Sequence, residues 1–157
     1  MTVVTRIPRT SRISQMIDKP GGVSVGVALA QADRNLEALR EQAMERVSDA
    51  VAVLAAVPPP VTELQKDVAA REAYAAASDV IDAAGPFGQD DLCTAAAGLC
   101  DLIDDAGADI DWRIITVHAQ SLRMLLTLPK EDRDSREAIL GELRRVLERR
   151  LGGAPAV

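Results

Sequence analysis

Residues 43–65 read AMERVSDAVAVLAAVPPPVTELQ, and within them one helix ends and another begins. Val47, Ala50, Leu54 and Val57 recur every three or four positions, the period of an amphipathic helix. Pro58-Pro59-Pro60 stops that helix, because an interior proline removes a backbone hydrogen bond and clashes with the preceding turn. Thr62-Glu63-Leu64-Gln65 then has the form of a capping box, which opens a new helix. A helix, a short break and a second helix predict an antiparallel pair.

Upstream, the same stripe continues through Leu29, Ala32, Leu36, Leu39 and Ala43, so residues 23–57 read as one helix of about 50 Å. The face holding Leu36, Leu39, Val47 and Leu54 is expected in the core, where Leu39→Asp costs several kcal/mol. Asp33, Glu37, Glu41, Glu45 and Asp49 form an i, i+4 ladder of like charge along its flank. Such a ladder is either a solvated face or a docking surface for a basic partner. Downstream, the second helix reaches about residue 84 with Leu64, Val68, Ala75, Ser78 and Ile81 inward, and Gly85-Pro86-Phe87-Gly88 is a turn. A third helix covers 89–106, with Gly107 as its C-terminal glycine. A fourth is capped by Asp109 and runs to Leu128. The fifth opens on a capping box at Asp134-Ser135-Arg136-Glu137, carries Ile139, Leu140, Leu143, Val146, Leu147 and Leu151, and stops at Gly152-Gly153. The fold expected is therefore all-α, an up-and-down antiparallel helical bundle of four to five helices in one domain, residues 20–152, with residues 153–157 disordered.

Residues 1–19 hold Arg6, Arg9, Arg12, Lys19 and Pro8 and are expected to form a disordered basic tail, a composition shared with transit peptides. Inside it, Ile13, Met16 and Ile17 make a single apolar turn, which with Arg9 and Arg12 is the candidate partner-binding motif; it docks on a partner or on the acidic bundle. Net charge is +3 over 1–19, −12 over 20–112 and +3 over 113–157. Ala occurs 26 times among the 157 residues while Trp112, Tyr74 and Phe87 are the aromatics, a composition that favours helix. An acidic chain with three aromatics argues against nucleic-acid binding. No uncharged run exceeds the 13 residues between Asp49 and Glu63, too few for a bilayer crossing, so a soluble, non-membrane chain is expected.

The side chains able to do chemistry are few. Cys93 and Cys100, seven residues apart on one helix, lie about 10 Å from each other and cannot pair. With Leu92, Ala96, Leu99 and Ile103 they read as buried core thiols. Asp101, Asp104, Asp105, Asp109 and Asp111 crowd a helix junction without the spacing of a calcium loop, and are expected to cap, to solvate and to pair with the arginines of the last helix. His118 falls among Ile114, Leu122 and Leu125 at the centre of an apolar face, so a buried imidazole bonded to Asp111 or to a neighbouring helix is expected. The rival is a phospho-acceptor, since histidine phosphotransfer domains are also helical bundles; their accessible histidine precedes Lys and Gly at the third and fourth positions, where this chain has Ser121 and Leu122. No catalytic arrangement, cofactor motif or metal cluster is visible.

Two stretches, Asp18-Lys19-Pro20-Gly21-Gly22-Val23-Ser24-Val25 and Asp111-Trp112-Arg113-Ile114-Ile115-Thr116-Val117-His118 followed by Leu122-Arg123-Met124-Leu125, resemble the CheE accessory proteins that accompany chemotaxis operons of alphaproteobacteria. The resemblance spans nearly the whole chain, and its motifs are not chemically diagnostic. It implies a cytoplasmic, non-enzymatic protein that binds the chemotaxis kinase, response regulators or receptor-array proteins. Two alternatives stay open beside it: a divergent phosphotransfer protein using His118, and an unrelated helical scaffold or homodimerisation domain.

Overall fold

The computed structural model describes residues 21–106 and 109–151, the last by its backbone alone. Among the described residues six α-helices follow one another: α1 (Val25–Ala38), α2 (Arg40–Ala56), α3 (Glu63–Ala84), α4 (Asp90–Ala106), α5 (Trp112–Thr127) and α6 (Arg133–Leu151), with a 3-10 turn at Gly85–Phe87. No strand occurs among the described residues. The chain divides into two compact units, Met1–Leu36 and Glu37–Val157. In the second, each of α2 to α5 packs on the next and α5 closes back on α2, while α6 lies chiefly along α4. The architecture is thus the expected all-α bundle, a four-helix ring with a fifth helix against it.

The capping box at Thr62 forms as its sequence requires. Gln65 N–H donates to Thr62 Oγ1 at 3.4 Å, and Gln65 Oε1 accepts from the N–H groups of Val61 and Thr62 at 2.9 and 3.2 Å. Two other helix starts differ from expectation. Asp111, not Asp109, caps α5, accepting from Arg113 N–H at 3.0 Å. At α6 the cap is Asp132, whose Oδ1 accepts from Ser135 N–H at 3.2 Å, two residues ahead of the expected box at Asp134. Either aspartate suits a cap locally. Gly107, Gly152-Gly153, residues 153–157 and the tail 1–19 lie outside the described residues.

The long helix expected over 23–57 is two helices, with Leu39 between them at φ −94° and ψ −7°. Val47 and Leu54 are buried as expected, but Leu36 is exposed and Leu39 is 53% exposed. Periodicity marks a helix face; it does not say how far along that face a neighbouring helix extends. Within the second unit the neighbours of α2 cover its stripe from Val47 onward.

A second correction concerns α3. Leu64 is 80% exposed, Val68 and Ala75 are exposed, and Ser78 and Ile81 are half-buried. The buried face is instead Ala69, Ala70, Ala73, Ala76, Ala77, Val80 and Ala84. These residues recur at helical spacing as regularly as the larger ones. Because α3 is flanked by α2 and α4, small side chains let both neighbours approach closely, and a leucine on that face would be overpacked.

Arg136 is 5% exposed and joins three helices. Its Nε donates to Asp91 Oδ2 in the first turn of α4 at 2.6 Å, and its Nη1 donates to the carbonyls of Leu125 and Leu128 at the end of α5, each at 2.9 Å. The carbonyls left open by the last turn of a helix are thereby satisfied by a side chain from the next one.

Three substitutions read this packing by urea denaturation. Leu39→Asp should shift stability by no more than about 0.5 kcal/mol, as at an ordinary surface site, whereas Ala73→Leu should cost about 1–3 kcal/mol through overpacking. Arg136→Met should cost about 3 kcal/mol, since it strands buried carbonyls and the Asp91 carboxylate.

Candidate functional site

α5 carries the one histidine among its buried residues Ile115, Ala119, Leu122 and Leu125. His118 is 1% exposed. Its Nδ1 lies 2.9 Å from the carbonyl oxygen of Ile114, one turn back on the same helix. A carbonyl only accepts, so Nδ1 holds the proton in the neutral ring. The partner is thus neither Asp111 nor another helix. Asp111 is taken up at the helix end, where the Arg113 guanidinium donates to it at 2.7–3.2 Å and Arg150 stands 3.8 Å away. Those contacts hold the Asp111 carboxyl down at about 2, Arg113 being the main cause. The expected pairing of the acidic junction with arginines of the last helix is realised at this aspartate.

Burial pushes the His118 pKa below its ordinary value, with the Ile114 bond opposing it. The imidazole is held neutral by the apolar core, and presents almost no surface to an incoming aspartyl phosphate. The unfolded chain takes up the proton near pH 6.5 while the folded chain resists it to lower pH, so stability falls on acidification through that window.

Of the two thiols, Cys100 is buried and Cys93 half-buried on α4. The Cys93 Sγ points at the Ile81 carbonyl, 3.9 Å away. Burial raises both thiols, Cys100 to about 11 with Asp104 and Asp101 adding to the effect. Little thiolate exists at neutral pH, which suits packing rather than nucleophilic work.

The remaining polar groups among the described residues do not converge. Asp101, Asp104, Asp105 and Asp109 are exposed, as is each member of the ladder Asp33, Glu37, Glu41, Glu45 and Asp49. Among the described residues no group of three or more His, Cys, Asp or Glu is placed to hold a metal ion. A cleft of about 490 Å³ between the start of α4 and the start of α6 holds Asp90, Asp91, Lys130, Arg133 and Glu137 around Arg136. A groove of about 460 Å³ between α2 and α3 has Ala50, Val53 and Ala76 as its floor and Arg46, Asp49, Glu72 and Asp79 at its edges. Neither brings a nucleophile to a base. No helix among the described residues is long and apolar enough to cross a membrane.

Arg9, Arg12, Ile13, Met16 and Ile17 lie outside the described residues. Directly after them comes the feature that sequence reasoning missed: none of the residues of α1 is buried, and its apolar stripe is open, Val25 being 76% and Leu29 60% exposed. The role of Arg136 was also missed, although an arginine in the first turn of a helix, where the macrodipole disfavours a cation, was a signal that another contact holds it.

Comparisons of the chain with protein-family models, with curated proteins and with solved structures return no match. The functional reading rests on the geometry above and on the sequence resemblance.

Two measurements follow from the buried groups. Between pH 7 and 5 the native chain should lose stability, and His118→Leu should flatten that part of the profile; denaturant titrations at each pH give the slopes. With a polar disulfide reagent at pH 7, Cys93 should label slowly, Cys100 more slowly still, and both within seconds once the chain is unfolded.

Proposed function

We propose that the protein is a non-enzymatic adaptor that acts by protein–protein binding in a bacterial chemotaxis signalling system, in the cytoplasm. The observation that carries this reading is α1. A helix with Val25, Leu29 and Leu36 open to water has an apolar surface that solubility does not favour, and such surfaces mark sites of association. The helix-in-groove mode of recognition uses residues at this spacing. The likeness of residues 18–25 and 111–125 to the CheE accessory proteins supplies the system and the candidate partners: chemotaxis kinase, response regulators and receptor-array proteins. The buried, neutral His118 and the lack of a convergent polar site among the described residues support binding over turnover.

Purified kinase, response regulators and receptor cytoplasmic domain, each titrated against the full chain by calorimetry, test the reading. One of them should bind, and Val25→Asp with Leu29→Asp should weaken it by at least about tenfold, the size expected for anchors of an interface, with the melting temperature unchanged. Binding to none of them overturns the proposal. Acid-labile phosphate on His118 after incubation with phosphorylated kinase overturns it in favour of phosphotransfer.

A further inference from the structure

We propose that the groove between α2 and α3 is a docking site for a basic amphipathic helix of a partner protein. Its shape comes from small side chains. Ala50 and Ala76 are buried and carry a single methyl group each, so the seam where the two helices meet is recessed. The recess has a volume of about 460 Å³, room for side chains of leucine or methionine size. Ala75 and Val53 border it, and Val53 is 56% exposed. Val68, on the same face of α3 one turn before Glu72, is 49% exposed and lengthens the apolar surface. Open aliphatic surface along such a seam gains by being covered.

The charge on the two banks says what covers it. Asp49 stands on the α2 side, Glu72 and Asp79 stand on the α3 side, and Arg46 is the one cation among the lining residues. All four are exposed. Glu72 and Asp79 are seven residues apart, two turns or about 10 Å along α3. The α2 side, from Arg46 to Val53, has the same length. A helix laid in the groove matches this pattern: apolar residues at i, i+4 and i+7 enter the floor, two lysines or arginines seven apart on one flank face Glu72 and Asp79, and a third on the other flank faces Asp49. Of the acidic ladder only Asp49 lines the groove. The surface for a basic partner is therefore made by two helices together and not by the ladder along one.

Other occupants fit worse. A second copy of this face would set its three carboxylates against the same three, with one arginine on each side to offset them. Nucleic acid and anionic membrane surfaces are repelled by the same carboxylates. A basic helix is the occupant that gains from both the floor and the banks.

The groove lies within the unit Glu37–Val157. Its test uses no chemotaxis protein and no variant of α1, so a failure here and a failure of the proposed function are separate results. The probe is a fluorescently labelled, alanine-based helical peptide with leucine at positions 4, 8 and 11, lysine at 5 and 12 on one flank and lysine at 7 on the other, titrated with the full chain at physiological ionic strength. Saturable one-to-one binding is expected, and the same peptide with glutamate in place of lysine should not bind. Glu72→Lys combined with Asp79→Lys should weaken binding by about tenfold or more. Ala75→Leu, which fills the floor, should weaken it by a similar factor. These positions are exposed, so the melting temperature should not change. Asp101→Lys combined with Asp105→Lys makes the same change of net charge on α4, outside the groove, and should leave the affinity within about twofold. Absence of saturable binding, equal binding of the glutamate peptide, or equal losses from the groove pair and the α4 pair overturns the proposal. A dimer in sedimentation that Ala75→Leu dissolves overturns it in favour of a second copy. Binding that appears only after residues 1–19 are removed overturns it in favour of the chain's own basic segment.

Discussion

The buried guanidinium of Arg136 is the joint on which the bundle turns. It reaches from the first turn of α6 to Asp91 at the start of α4 and to the last carbonyls of α5. Without it the end of α5 would have to satisfy its carbonyls with water, and α6 would have only its apolar contacts to fix its register on α4. The ion pair is half in solvent on the Asp91 side, so its worth lies less in Coulomb attraction than in satisfying groups that packing has already desolvated.

Packing around that joint is set by side-chain size. α3 meets α2 and α4 through alanines, a choice that brings backbones close and leaves the bulk of the core to leucines and valines from the other helices. Leu54, Leu92, Leu99, Leu122 and Leu125 fill that space. His118 joins them as a neutral ring tied to its own helix. A polar group in such a place is tolerated when its proton has an acceptor, and costs stability when it must charge.

Among the described residues the polar groups of the core are engaged in packing and helix ends, and the proposed function rests on the surface. An apolar stripe on α1 is exposed, and the acidic ladder Asp33, Glu37, Glu41, Glu45 and Asp49 is exposed as well.

Read alone, the sequence determined the helices and where they stop, except for the break at Leu39. The proline triplet, the Thr62 capping box and the apolar periods are local signals, decided within a few residues, and they appear in the structure with ends shifted by one or two positions. The central placement of His118 and the burial of Cys100 on α4 were legible for the same reason: on a helix the angle between residues is known once the helix is. Which face turned inward was legible only where the largest apolar residues were also the buried ones, as at Val47 and Leu54. On α3 the neighbours on both sides selected the alanines and left Leu64 and Val68 in water, and the length of the helices covering α2 left Leu39 exposed. Arg136 found Asp91 across 45 positions of chain, a pairing that no local pattern encodes. Burial and long-range pairing depend on what lies opposite, and only the tertiary structure supplies that.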